Sequence, residues 1–430
     1  TTNLNSSITK ENDLNLNFNH ISYVLSMPTQ STGIGLLSSN FSFTYNKVRD
    51  FNRTISLNGS NLGHSLTDFI AQFTYDANLI EEDLQFSDNF DPYTDVNAIG
   101  TFAPWLSVLG YQGYLINPGV DVNNYTTWSS GFGGKINLYN NLFERGSINE
   151  YGFGWGGNFS NKVFLGANLN ISSIDYNLEA IVNENFSDGG NYRLVSFLSQ
   201  SGIGVNFKMG AIALLTNSLR VGAALHTPTF YTISEANDFS LQSSESTKKE
   251  IPSVSASQTY SLSSAFQAQG SLAYVFGKKG LISAEYNYAN YPGMKFSDTD
   301  GNSANYRLEN SGMSEVLRGG HLIKLGGEYK INNRVALRAG YAFATGATNP
   351  KYDDGKKLQF YTTHTNTEYF DHLNTQYYSL GVGYREASWF VDVAYALKVR
   401  NENFYSNQGA PGASSTSNSN NLVCTLGFKF

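Results

Sequence analysis

The chain has 430 residues, of which 15% are charged and 14% aromatic, with a formal net charge of −7. That balance argues against a nucleic-acid binder, which presents a basic face, and the aromatic content argues against a disordered chain. No run of 18 or more apolar residues occurs, so no helix is expected to cross a bilayer.

The start, Thr1-Thr2-Asn3-Leu4-Asn5, has no charged stretch followed by an apolar one, so an exported protein would be read here in processed or truncated form. From there the pattern has a period of two. Val163, Leu165, Ala167, Leu169 and Ile171 alternate with Phe164, Gly166, Asn168 and Asn170. The same alternation carries Ile203 to Ala211, Leu219 to Leu225, Ile282 to Tyr288, Val335 to Phe343 and Val391 to Val399. This is the signature of strands with one apolar and one polar face. Thirteen are expected, near 14–27, 33–48, 147–160, 162–176, 196–213, 217–233, 257–276, 280–292, 319–331, 333–346, 374–385, 387–402 and 421–430.

These strands are about 10 to 16 residues long, whereas globular strands centre on about 5 to 6 and a tilted membrane strand needs about 9 to 11. Short connections alternate with long ones. The long ones run near 48–146, 177–195, 233–256, 292–319, 346–374 and 401–420, and the short ones include Gly277 to Gly280 and Asn332-Asn333. Aromatics such as Tyr23, Tyr45, Trp155, Tyr274, Tyr329, Tyr384 and Trp389 sit near strand ends, and the chain finishes on an alternating strand at Phe430. Together these predict an all-β protein, a transmembrane antiparallel β-barrel with short turns on the periplasmic side and long loops outside. With thirteen strands visible and the last ending on the short-turn side, parity calls for about fourteen. A first strand before residue 1 is therefore expected.

The connection 48–146 is too long to be structureless. Leu66, Phe69, Ile70, Phe73, Ala77 and Ile80 follow helical spacing, and Ile99, Phe102, Trp105, Leu106 and Leu109 repeat it. Two amphipathic helices are expected there, their apolar faces covered by each other, by the barrel rim or by a ligand. Inside the barrel, alternation places Lys208, Arg220, Glu285, Lys324, Glu328, Arg338, Asp392 and Lys398. On the lipid face each would cost about 2–4 kcal/mol at midplane. Most are expected to form a ladder of opposite charges, while Arg220 or Arg338 is a candidate for meeting a substrate carboxylate.

Catalytic and metal readings are weak. His20, His64, His226, His321, His364 and His372 are scattered, and His364, Glu368 and His372 align only on a helix that their surroundings do not favour. Cys424 is a single thiol on an alternating strand and reads as a small hydrophobe. Segments 242–250 and 409–421 read as solvated loops. No cofactor and no resident metal is expected.

Several segments resemble the FadL/OmpP1/TodX family of outer-membrane hydrophobic-compound transporters. Leu219-Arg220-Val221-Gly222 followed by Thr227-Pro228-Thr229-Phe230-Tyr231 is similar to a mid-barrel strand and its exit. Tyr286-Asn287-Tyr288 with Met294-Lys295-Phe296, and Leu325-Gly326-Gly327-Glu328-Tyr329 with Ala336-Leu337-Arg338-Ala339-Gly340-Tyr341, resemble later hairpins. The resemblance covers 200–345 by motif and the rest by layout. It departs at the N-terminus, where the family's hatch and its Asn-Pro-Ala motif have no counterpart, so gating by a hatch is in doubt if the start shown is the natural one. The resemblance implies transport of hydrophobic small molecules, long-chain fatty acids or related lipids, across the outer membrane of a Gram-negative bacterium. It also implies an extracellular capture groove, for which Phe69, Ile70, Phe73, Phe102, Trp105, Leu106 and Leu109 are the candidate lining. Membrane lipid and lipopolysaccharide would contact the outside. Rival readings are a barrel that holds a protein partner at its outer loops and a general polar porin. Neither involves nucleic acid.

Overall fold

A computed structural model describes all residues except 1, 5, 6, 11–13, 15, 30–32, 99, 124, 247–250 and 350–366. Its core is one large antiparallel sheet. In series the wall runs His20–Pro28, Leu36–Asp50, Ile136–Phe159, Val163–Phe186, Asn191–Leu214, Leu219–His226, Phe266–Phe276, Gly280–Asn290, Gly320–Lys330, Val335–Thr345, Tyr369–Arg385, Trp389–Tyr405 and Ala413–Phe428. Every neighbouring pair in that series is hydrogen-bonded.

The expected strands 217–233 and 257–276 are each split, at 227–229 and 264–265, into a lower and an upper piece. Pro228 explains the first break, because it has no N–H to donate to the ladder. Thr227 patches the gap: its Oγ1 accepts from Phe207 N at 2.9 Å. The upper pieces, Phe230–Ser243 and Val254–Ser263, continue the wall outward. Counting each split strand once gives the thirteen staves expected. Three of them are much longer than expected, 24 residues each at Ile136–Phe159, Val163–Phe186 and Asn191–Leu214. That is about 80 Å of strand, far beyond what a bilayer needs. The expected loop 177–195 is in fact mostly wall, closed by a turn at 187–190.

Register fixes the two faces. Tyr45 sits opposite Tyr151, Phe43 opposite Phe153 and Phe41 opposite Trp155. On the far side, Leu325 pairs with Tyr341, Tyr341 with Tyr378, and Leu380 with Tyr395. These side chains lie on one continuous face and several are fully half exposed, which is the outward apolar band of a membrane barrel. The opposite face carries Lys208, Glu285, Lys324, Glu328, Arg338 and Asp392, as alternation predicts. About ten residues next to each short turn suffice to span the bilayer. Those turns are tight: Ser160 and Asn161 take positive φ of 55° and 54°, and Lys162 N donates to Phe159 O at 3.0 Å.

The sheet curves until its early and late staves meet. Arg53 Nη1, on the strand Arg53–Leu62 beside Ile136–Phe159, reaches Glu402 Oε1 at 2.7 Å. His64 Nε2 lies 3.0 Å from Asn407 Oδ1. Gly146 is where strand Ile136–Phe159 changes partner, from Arg53–Leu62 to Leu36–Asp50. Its φ of 119° and the abutting Asp175 carbonyl exclude any side chain there. Strands His20–Pro28 and Ala413–Phe428 run in the same direction. Among the described residues each keeps one edge without a wall neighbour, apart from Thr2–Leu4, which pairs at Ser414 and Ser415.

Sidedness is testable. Protease added to intact cells is expected to cut at 298–303 or 406–412, which lie with the long connections, and to spare 277–279 and 331–334. Cleavage at the short turns of intact cells would reverse the orientation.

Candidate functional site

The long first connection folds into a lid. Helix α1 is Leu66–Asp76 and helix α2 is Trp105–Gln112. Helix α1 starts at Ser65, whose Oγ accepts from Thr67 N at 2.9 Å while Asp68 Oδ2 accepts from Ser65 N at 2.9 Å, a reciprocal cap. The wall completes the anchor: Glu184 Oε1 accepts from Leu66 N at 3.2 Å and its other oxygen accepts from the Ser65 hydroxyl. Glu184 is buried, and burial raises its pKa above the ordinary carboxylate value despite those donors. Helix α2 begins later than the stripe from 99 suggested. Pro104 is its N-cap and Trp105 its first residue, because the residue before a proline is pushed away from helical geometry. Ile99 lies outside the described residues.

The two helices pack face to face. Thr74 Oγ1 donates to Ile70 O at 2.7 Å and lies 2.8 Å from the hydroxyl oxygen of Ser107. Trp105 meets Tyr93 and the wall residue Phe239 edge to face, at 6.4 and 5.9 Å between ring centres. Gly113 closes α2 against the wall, where a Cβ would come to 2.5 Å from Leu241 Cδ2. The hairpin Ile116–Val120 and Thr126–Ser130 completes the lid, with Trp128 Nε1 donating to Leu79 O at 3.0 Å.

This geometry decides where each candidate residue goes. Phe69, Ile70, Trp105, Leu106 and Leu109 are buried in the lid core together with wall residues such as Leu241 and Phe404. Self-packing, rather than an open groove, covers these five. Phe73 is half-buried and stacks on Phe69 at 5.7 Å, and Phe102 is 55% exposed. Of the seven candidate lining residues, Phe73 and Phe102 are the two that are not buried. Further apolar side chains share the lid surface, among them Tyr75, Ile80, Phe86 and Val96.

The inward charges form the expected ladder. Lys208 Nζ is 2.6 Å from Glu150 Oε1, and Lys324 Nζ is 2.7 Å from Glu285 Oε1. Arg338 already holds two carboxylates: Nε meets Glu328 Oε2 at 2.9 Å and Nη1 meets Asp392 Oδ1 at 2.5 Å. A substrate carboxylate would therefore meet this guanidinium only in competition with Glu328 and Asp392. Arg220 is exposed on the same face, with no charged partner among the described residues. Between these groups the inward positions are small, including Gly152, Gly154, Gly166, Gly210, Gly326 and Gly340. An apolar hollow of about 840 Å³, lined by Leu272, Tyr274, Ile282, Leu325, Tyr341 and Leu380, lies by register on the lipid face and not in the lumen.

Sequence reasoning missed a second group of charges at the outer mouth. Arg53 Nε meets a Glu144 carboxylate oxygen, and its guanidinium lies 4.6 Å from the centre of the Phe370 ring. Arg400 Nε is 3.7 Å from Glu402 Oε2. The alternation Lys398, Arg400, Glu402 was a readable signal for one inward row, whereas Arg53 was hidden inside what reads as a loop. His364 lies outside the described residues. Glu368 Oε1 accepts from Asn140 Nδ2 at 3.4 Å, and His372 Nε2 is 2.9 Å from Thr375 Oγ1.

The fold and site define a class: a membrane-spanning antiparallel barrel whose outer mouth is roofed by a folded helical lid. No protein-family model matches the chain, and no curated protein matches it. Solved structures do. The chain is similar to a FadL homologue of Pseudomonas aeruginosa at 11% identity, covering 94% of this chain and 76% of that one, with a TM-score of 0.44. It is similar to the toluene transporter TodX of P. putida at 12% identity, covering 96% and 88%, with a TM-score of 0.44. It is also similar to the monoaromatic hydrocarbon channel CymD at 15% identity, covering 73% and 86%, with a TM-score of 0.42.

Proposed function

We propose that this chain is an outer-membrane channel of a Gram-negative bacterium that captures hydrophobic small molecules at its lid and passes them through the barrel. Long-chain fatty acids or related lipids are the leading cargo, with small aromatic hydrocarbons, the cargo named for TodX and CymD, as the comparison set. The observation that supports this reading is the roofed mouth. A general porin conducts solutes through an open polar lumen. Here two helices with a shared apolar core lie over a wall with many small inward positions, whose mid-lumen charges are largely tied up in two ion pairs and one arginine held by two carboxylates. Apolar side chains left on the lid surface, led by Phe102, are what an apolar ligand would meet first. The channel acts by binding and passage and calls for no cofactor.

Phe102→Ala is the test. Loss of one exposed aromatic contact is worth about 1–2 kcal/mol of apolar burial, so affinity for a labelled fatty acid should fall about five- to thirty-fold. Heat-modifiable gel migration should be unchanged. One observation favours the partner-scaffold reading: at the hairpin tip Val120, Val122 and Tyr125 are 73%, 99% and 67% exposed. Unchanged affinity in a folded Phe102→Ala protein would put that reading ahead.

A further inference from the structure

We propose that the lipid face of the barrel carries a seat for one anionic glycerophospholipid of the periplasmic leaflet. Its acyl chain lies in a groove at Gly327 and Ala339, and its phosphate meets Lys278 and Lys279. This goes beyond the transport reading and concerns the end of the barrel opposite the lid.

The groove comes from two small outward residues. On strand Gly320–Lys330, Leu325, Gly327 and Tyr329 share the outward face, where Leu325 and Tyr329 are exposed. Gly327 pairs with Ala339 on one side and with Ile282 on the other. Its neighbours on that face are bulky: Tyr329 pairs with Leu337 toward the short turns, and Leu325 with Tyr341 toward the middle of the wall. A notch is left between two large pairs. The backbone does not demand glycine there, since φ lies outside the left-handed region and a Cβ would meet nothing closer than Leu281 O at 3.7 Å. A strand glycine without a backbone reason marks a place where something approaches closely.

A second apolar hollow of about 770 Å³ lies on the short-turn side of the notch, between Phe276, Lys279, Tyr329 and Leu337. It shares Ile282, Gly327, Ala339 and Leu380 with the hollow of about 840 Å³ described above, so the two form one continuous groove. From Tyr329 to Leu325 is about 13 Å of strand, against roughly 15 Å of hydrocarbon in one leaflet. The groove therefore runs from headgroup level to near mid-bilayer, the reach of one acyl chain.

Charge selects the headgroup. Along the arc of staves from Phe266–Phe276 to Ala413–Phe428, the short-turn end carries Lys278, Lys279, Lys330, Arg334, Arg385 and Lys429 against the single acid Glu386, in a chain whose net charge is −7. Glu386 is already 3.2 Å from Arg334. The turns at 33–35 and 215–218 carry no charge. Lys278 and Lys279 are exposed and have no carboxylate partner among the described residues. Lys330 N donates to Lys279 O at 2.8 Å, which sets two lysines side by side. Like charges so placed repel, and an anion between them relieves the repulsion. Phe276 and Tyr329 mark the headgroup level, where ammonium groups on long stems reach lipid phosphates. A zwitterionic lipid balances its phosphate with its own cation and an anionic one does not, so the anionic lipid is the better match. An acidic protein would use the basic rim and leave the groove empty.

The test uses the purified full chain in a neutral detergent. Dioleoylphosphatidylglycerol and dioleoylphosphatidylcholine, which share their acyl chains, are titrated separately, and the first bound lipid is followed by native mass spectrometry. The native protein is expected to hold the anionic lipid at least tenfold more tightly. In the Lys278→Gln, Lys279→Gln double variant that preference should fall to about twofold or less. Gly327→Leu fills the groove and should weaken binding of both lipids fivefold or more, with heat-modifiable migration unchanged. Should Gly327→Leu fail to assemble, Ala339→Leu must give the same loss, because an outward leucine on a membrane strand is tolerated. A native preference near one, or one that survives the lysine substitutions, overturns the seat and leaves the basic rim to an acidic partner. Lipid binding unchanged by the groove-filling variant overturns it as well, since the lysines would then attract headgroups with no chain seated. None of these outcomes bears on capture at the lid, which Phe102→Ala tests separately.

Discussion

Replacing Trp105 by alanine is expected to unfold the lid while leaving the barrel assembled. Trp105 is buried among Tyr93, Phe239 and the partner helix, and its Nε1 donates to Tyr93 O at 3.4 Å. Truncating a buried tryptophan costs about 3–5 kcal/mol, because the transfer energy is lost and a cavity remains. Helices α1 and α2 have 11 and 8 residues, too short to persist without packing. The loss therefore falls on one small unit rather than on the whole protein. The wall draws its stability from a continuous hydrogen-bonded ladder to which Trp105, packed only on the Phe239 ring, contributes no bond. Limited proteolysis within 64–131 should accelerate by a hundredfold or more, while heat-modifiable migration stays normal. The contrast with Phe102→Ala separates core from surface, since that variant should leave lid proteolysis unchanged. A Trp105→Ala lid as resistant as the native one would mean that the lid core lies elsewhere.

The barrel was legible because its physics acts residue by residue. Alternation at Val163 to Ile171 or Val391 to Val399 states which side chain meets lipid, and the register confirms each assignment. What alternation cannot state is where the membrane stops, since the same pattern continues up Ile136–Phe159 and its neighbours well past the bilayer. The lid shows a different limit. A stripe at Leu66, Phe69, Ile70 and Phe73 says that a face must be covered, not what covers it, and long-range packing against Phe239 and Leu241 supplied the cover. Pro228 announced its break locally. The slip before Arg49 had no local signal, because it arises from how two strands far apart in sequence settle their register. The most informative charges at the mouth were thus the least readable.

Arg53→Met should loosen the outer rim, and the effect is expected to be comparable in size. Arg53 ties the strand Arg53–Leu62 to Glu144 on one side and to Glu402 on the other, and so joins the early wall to the late one. Its side chain is 18% exposed and that of Glu402 3% exposed, so solvent screens the pair little. Removing one member of a buried pair costs about 3–5 kcal/mol, mainly because the other charge stays behind. Arg400 Nε, 3.7 Å from Glu402, keeps part of the compensation, which places the expected loss toward the lower end. Hydrogen exchange should show faster opening of 53–62 and 399–405, with the strands at 280–290 and 320–330 unaffected. Arg53→Lys should recover part of the loss, since one ammonium can serve one carboxylate but not bridge two. Arg53→Met combined with Glu402→Gln should recover more, because no uncompensated charge then remains at that position. If the double variant exchanges as fast as Arg53→Met alone, the rim is held by the packing of the Arg53 stem against Phe370 and not by the charge pair.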